Sequence, residues 1–104
     1  MSAHCGDEVK YGVIEQVVAS YVALAASGGS ILGRKIRDVN TVNGARLTLE
    51  DGSFVLVRAS SNKPEVVVVV ESTVSDADMR SLFHDEAKLR LGAYSEVGAY
   101  NQSV

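Results

Sequence analysis

The chain has one cysteine, Cys5, in 104 residues, so no internal disulfide can form. That fits a reducing, cytosolic setting. Cys5 has only His4 beside it, and adjacency in sequence does not make a Cys–His pair; it reads as a plain thiol. Long apolar runs are missing too. The valine run, Val66 to Val70, is far too short to cross a bilayer, and His4, Asp7 and Glu8 interrupt any secretory core, so neither a membrane nor an export signal is expected. A surplus of positive charge is also lacking: 10 basic against 13 acidic residues leave a net −3, which argues against nucleic acid as a partner. No internal repeat is visible. The length allows one domain, 1–104, with room for a real core at 46% hydrophobic content. An anion site would have to come from local charge, for which Arg34, Lys35, Arg37, Arg58 and Lys63 are the candidates.

What is present is a clear alternation of element types. Val9, Val13, Ile14, Val17, Val18, Tyr21, Val22 and Ala25 recur at helical spacing and predict an amphipathic helix over 7–25, with Lys10, Glu15, Gln16 and Ser20 on its other face. Asp7 and Glu8 suit its N-terminal end, and Gly28-Gly29 stop it. Strands are expected over 35–39, 45–50, 53–59 and 65–72. Residues 45–50 alternate cleanly. Asn43-Gly44 and Asp51-Gly52 are hairpin signals that pair 45–50 with 53–59 in antiparallel fashion. Five consecutive valines suit a strand with apolar contacts on both faces, with Val66, Val68 and Val70 on one and Val67 and Val69 on the other. One set should meet the helices; the other needs a cover, or forms an apolar patch that favours self-association.

A second helix is expected over 76–91, capped by Ser75 with Asp78 at the capping-box position, burying Met79, Leu82, Phe83, Ala87 and Leu91. The tail, 93–104, has weak periodicity and is expected to be partly ordered or frayed. Helix, antiparallel strands, helix is the order of an α+β sandwich with the helices on one face.

The chemistry concentrates in Arg58-Ala59-Ser60-Ser61-Asn62-Lys63-Pro64, between two strands. Arginine offers a planar fork of N–H donors, and serine hydroxyls with backbone N–H groups can close around phosphate oxygens. Other patterns dissolve on inspection. Gly28-x-x-x-x-Gly33-Arg34-Lys35 follows a helix and has Arg and Lys where a P-loop needs Lys and Ser or Thr. His84 has Lys88, not a second ligand, one turn on. Asp76, Asp78, Asp85 and Glu86 read as a solvated acidic face.

Residues 51–71 resemble the C-terminal domain of the phosphohexomutases, the phosphoglucomutase and phosphomannomutase family. The shared frame is Asp51-Gly52, then Leu56-Val57-Arg58-Ala59-Ser60, then Pro64 and an apolar strand ending in Glu71. Upstream, Asp7-Glu8-Val9-Lys10-Tyr11 resembles the segment that opens the first helix of that domain. The resemblance implies a TATA-binding-protein-like fold: a four-stranded antiparallel sheet covered on one face by two helices. It implies that Arg58, Ser60, Ser61, Asn62 and Lys63 grip the phosphate of a hexose phosphate, although Ser61 stands where Asn or Gly is usual and Asn62 where Thr is usual. It further implies an excised domain, inactive alone. The phosphoserine, the Mg²⁺ loop and the sugar-binding loop of such enzymes belong to preceding domains, and their motifs do not occur here. No cofactor is expected in this chain, and Mg²⁺ would be bound by an absent domain. The competing reading is an independent α+β interaction module whose valine-rich sheet binds another protein.

Overall fold

The computed structural model describes residues 1–104. In chain order the elements are β1 (Ser2–His4), α1 (Lys10–Ala26), β2 (Ser30–Ile31), β3 (Arg34–Asn40), β4 (Ala45–Leu49), β5 (Phe54–Ala59), β6 (Glu65–Glu71) and α2 (Asp76–Ser81). From α2 a π-helical turn, Leu82–Ala87, leads into α3 (Lys88–Leu91).

The sheet is six-stranded, in the order β1-β6-β5-β4-β3-β2, with antiparallel neighbours throughout. This corrects the four-stranded sheet expected from the resemblance. The expected strands form the centre, β3 to β6, and a short strand is added at each edge. β1 lies along β6, with Ser2 opposite Val67 and His4 opposite Glu65. β2 folds back on β3 through a two-residue turn in which Leu32 (φ 48°) and Gly33 (φ 80°) are both left-handed. Each added strand pairs part of an edge that would otherwise present open N–H and C=O groups. The tail continues the theme: Tyr100 bridges Ala3, Gly98 donates to the His4 carbonyl at 2.7 Å, and Asn101 donates to that of Ser2 at 2.8 Å.

Strand alternation separates two faces. Ala45, Leu47 and Leu49 of β4, Val55, Val57 and Ala59 of β5, and Val66 and Val68 of β6 point inward and are buried. They form one core with Val13, Ile14, Val17 and Tyr21 of α1 and with Leu82, Phe83, Ala87 and Leu91. Burying each Val or Leu stabilises the fold by about 1.5–3 kcal/mol. The outer face carries Arg46, Phe54, Leu56, Arg58, Val67 and Val69. The valines divide as their alternation requires: Val66 and Val68 are sealed, Val70 packs against the core edge, and Val69 is 39% exposed. Much of the cover on the outer face is local, as the Arg46 guanidinium lies 4.2 Å from the centre of the Phe54 ring.

The helices depart from expectation in two ways. The α1 stripe is Lys10, Val13, Ile14, Val17 and Tyr21, so Lys10 belongs to the buried face and Val22 to the exposed one. The helix begins at Lys10 rather than Asp7: the Asp7 and Glu8 carbonyls take no N–H, and the continuous ladder starts with the Val13 N–H on the Val9 carbonyl at 3.0 Å. In the second helical segment, Phe83, Ala87 and Leu91 are buried in four-residue steps. Such steps overrun a 3.6-residue turn, and the wider π turn takes up the excess.

At the end of the sheet away from residues 60–64, polar groups tie three elements together. Arg34 donates to Asp51 at 2.9 Å and to both carboxylate oxygens of Asp78 at 2.9 and 3.0 Å. The Ser72 hydroxyl donates to Asp78 at 2.6 Å, and Ser75 caps α2 through the Asp78 N–H. Asp78 therefore belongs to an ion-pair network rather than a solvated face, and so does Glu86, which holds Arg90 at 2.8 Å. These bonds favour the ionised acids: the Arg34 guanidinium holds Asp51 down to about 2, from an ordinary 3.8, and also lowers Asp78. A depressed carboxyl pKa stabilises the fold above the unfolded value, and the contribution is lost as pH falls through the folded one. Urea midpoints should therefore drop as pH goes from 3.8 to about 2, and Arg34→Met should flatten that drop. An equal acid slope in Arg34→Met would contradict the assignment.

Two glycines make a paired stability prediction. Gly44 (φ 78°) precedes β4, and a Cβ there would meet the Val57 carbonyl oxygen and lie 2.8 Å from Arg58 Cα. Gly12, in α1, has open space around it. Gly44→Ala should destabilise by about 1–3 kcal/mol through overpacking, before any strain from its left-handed backbone. Gly12→Ala should stabilise by about 0.5–1 kcal/mol by lowering the entropy of the unfolded chain. Thermal melts should shift in opposite directions, and a shift of the same sign in both would contradict this packing.

Candidate functional site

The loop between β5 and β6 is short because the two strands pair to its base. Ala59 sits opposite Val66, and the Ser60 N–H donates to the Glu65 carbonyl at 2.9 Å. This register puts Arg58 on the outer face at the last outward position of β5, beside Val67 of β6. Its side chain makes one long contact, 3.5 Å to the Ala59 carbonyl, and joins none of the chain's four ion pairs. The guanidinium fork is thus uncommitted. Arg34, by contrast, is consumed by Asp51 and Asp78 and is not available to an anion.

Ser60 is buried at 8% exposure, and its hydroxyl donates to Asn62 Oδ1 at 3.2 Å. That bond ties the first arm of the loop to itself two residues on. Ser61, Asn62 and Lys63 are exposed. Their N–H groups have no partner within the protein, which leaves three consecutive backbone donors open at the tip. Successive free N–H groups beside a cation are a common form of anion site. The structure therefore gathers Arg58, Ser60 and the backbone of residues 61–63 on one loop. The Lys63 ammonium makes no hydrogen bond or ion pair; the atom of Lys63 that is engaged is its carbonyl.

The carbonyl side of the loop is fastened to the N-terminal segment. Lys63 O accepts from the Glu65 N–H at 2.8 Å and from the Lys10 ammonium at 2.8 Å. Pro64 O accepts from the Cys5 N–H at 2.8 Å. Lys10 is only 3% exposed and is also paired with Asp7 at 2.8 Å. Sequence reasoning placed Lys10 on the polar face of α1 and so missed it. The signal was its spacing of three and four residues to Val13 and Ile14, which puts it on the apolar stripe. Gly44 was read only as a turn former, yet it is the residue that lets the 40–45 connection pass against Arg58 Cα.

The remaining reactive groups do not converge. Cys5 is buried and free, and burial pushes its thiol pKa up, which disfavours the nucleophilic thiolate. His84 Nε2 lies 2.8 Å from the Val104 carbonyl. No three His, Cys, Asp or Glu side chains come together. The largest cleft lies elsewhere, between Phe83, His84 and Lys88 and the tail at Tyr100. The β5–β6 loop lines none of the clefts and is an open surface feature. No helix is long and apolar enough to cross a membrane.

Comparison with known proteins agrees with this geometry. Residues 8–89 match the family model of the phosphoglucomutase/phosphomannomutase C-terminal domain, a span that holds the loop and all four central strands. A probable phosphoglucosamine mutase of Methanothermobacter thermautotrophicus is 33% identical over 72 residues, covering 69% of this chain. A phosphopentomutase of Thermococcus kodakarensis is 32% identical over 68 residues, covering 65%. The aligned stretch spans 14% of the length of each of these relatives. With β2 to β6, α1 and α2 inside the matched span, the chain belongs to the phosphoglucomutase/phosphomannomutase C-terminal domain family.

Proposed function

We propose that this chain grips the phosphate of a sugar phosphate on behalf of a phosphohexomutase, a larger enzyme that interconverts hexose 1- and 6-phosphates through a bisphosphorylated intermediate. The observation that carries the reading is the uncommitted Arg58 fork in a loop with three free N–H groups, inside the span that matches the family. In such a reaction one phosphate reacts while the other is held. Arg58, Ser60 and the backbone of Ser61, Asn62 and Lys63 would hold the second. Their contribution is orientation and binding energy rather than bond chemistry. The alternative of an independent interaction module draws no support from the family match.

Substrate choice follows the same division. The two relatives are named for an amino sugar and for a pentose, and both align with this domain at similar identity. A loop that recognises only the phosphate is compatible with either, so sugar specificity would lie in residues outside this domain. A hexose phosphate is the substrate class proposed for the parent. Phosphoryl transfer and Mg²⁺ binding would belong to its other domains, and the protein partner of this chain would be those domains. A cytoplasmic setting is proposed on the same ground, since sugar phosphates are the ligands.

Titration of the chain with glucose 6-phosphate tests the reading. A hydrogen bond to a charged group is worth about 1.5–3 kcal/mol, so Arg58→Ala should weaken binding by about tenfold to a hundredfold. Arg58→Lys should recover only part of it, because a point charge does not replace the fork. Lys63→Ala should do less. Melting temperatures should hardly move, since the Arg58 side chain makes one long contact. Unchanged affinity in Arg58→Ala, or a large loss of stability instead, would make Arg58 a structural residue. The chain alone should give no turnover of glucose 1-phosphate with Mg²⁺ and a bisphosphate activator. Turnover that survives repurification would contradict the proposed division of labour.

A further inference from the structure

We propose that Lys10 is a positioning residue for the phosphate loop. It would fix the shape in which the N–H groups of Ser61, Asn62 and Lys63 stay open to an anion. The inference rests on the phosphate reading of the loop and assigns part of its geometry to a residue on another element.

Three observations carry it. First, Lys10 is a lysine at 3% exposure whose ammonium does not reach solvent freely; it sits between Asp7 Oδ1 and the Lys63 carbonyl, each at 2.8 Å. Taking a charged group out of water is costly unless it is paired and hydrogen-bonded. An apolar residue would fill the stripe of α1 without that cost. Second, its acceptor is the one loop carbonyl that also takes the Glu65 N–H, so Lys63 O is the point where the turn back into β6 is set. Two donors on one oxygen restrict the rotation of the Lys63–Pro64 peptide. The next carbonyl, Pro64 O, is held by the Cys5 N–H. With consecutive carbonyls committed to the body of the domain, the N–H groups before them are left at the tip. Third, the bond spans 53 residues and joins the two segments that carry the family resemblance, 7–11 and 51–71. The Tyr11 ring adds a contact from the same segment, 5.1 Å from the ammonium.

The opposite reading is that Lys10 merely ties the start of α1 to the sheet. That reading makes stability the only property that responds to its loss. Positioning makes the open loop amides and their phosphate affinity respond, with a difference between side chains that keep a donor and those that do not. Asp7 is largely exposed, so its carboxylate returns to water when Lys10 is replaced and leaves no buried orphan.

The test uses the ¹⁵N-labelled chain as wild type, Lys10→Met and Lys10→Gln, each titrated with glucose 6-phosphate while the amides of residues 58–65 are followed and thermal melts are recorded. Methionine keeps the apolar stem without a donor; glutamine keeps an N–H for the Lys63 carbonyl without the charge. In Lys10→Met the ligand-free amide shifts of residues 61–65 should move, and affinity should fall about threefold to tenfold, less than for Arg58→Ala because Lys10 acts through the loop backbone and not on the ligand. Lys10→Gln should lie between Met and wild type. If Lys10→Met fails to fold, Lys10→Gln decides: its loop amides and affinity should still be displaced from wild type. Wild-type affinity in a folded variant that lacks the ammonium would reject the positioning role and leave the phosphate reading intact. Loop amides that ignore glucose 6-phosphate in the wild type would reject the phosphate reading, and this inference with it.

Discussion

The pairing register of β5 with β6 is the constraint on which the rest of the site depends. Side chains alternate along a strand, so a slip of one residue would exchange the inner and outer faces along its whole length. The core forbids that slip: Val55, Val57, Val66 and Val68 are sealed inside, and their outward neighbours Leu56, Arg58, Val67 and Val69 are not. Hydrophobic burial of the valines thereby decides that Arg58 faces outward at the last residue pair but one before the loop. The same register sets Ala59 against Val66, which leaves a connection of six residues, 60–65, between the paired positions.

Around that register the structure is fastened at both ends of the sheet, by different chemistry. At the far end, charged groups do the work: Arg34 bridges Asp51 of the β4–β5 turn and Asp78 of α2. At the loop end, the fastening is to backbone carbonyls, from Lys10 and Cys5 to Lys63 and Pro64. The difference matters for function. Carbonyls taken up on the protein side leave N–H groups open at the tip, whereas acids placed there would repel a phosphate. Arg58 and the Lys63 ammonium are the uncommitted cations of the region, and neither is paired with a carboxylate.

The central meander was legible in the sequence because its signals are local and strong. Residues 45–50 alternate, Asn43-Gly44 and Asp51-Gly52 mark turns, and a run of five valines has few uses outside a strand. The loop was legible for the same reason, with its polar cluster framed by apolar runs. The edge strands were not. Ser30–Ile31 has two residues and β1 has three, too few for any period, and Leu32-Gly33 lacks the Asn or Asp that usually announces such a turn. Their places depend on pairing with β3 and β6, which is tertiary information. Lys10 was misplaced for a related reason: a lysine on an apolar stripe is normally a boundary residue, and only the folded chain supplies the carbonyl that makes its burial possible. The π turn at Leu82–Ala87 likewise follows from packing, since the residues themselves suit an ordinary helix.

On the proposed reading, a rigid sheet would supply the register, Lys10 would set the loop, and Arg58 with open backbone donors would meet the ligand. A crystal structure of the chain grown with glucose 6-phosphate tests this most directly. The account predicts the phosphate group within hydrogen-bond distance of the Arg58 guanidinium and of at least one N–H among Ser61, Asn62 and Lys63, with the Lys10–Lys63 bond kept. A ligand bound elsewhere, such as the cleft beside Tyr100, with the loop unoccupied at saturating concentration, would contradict it.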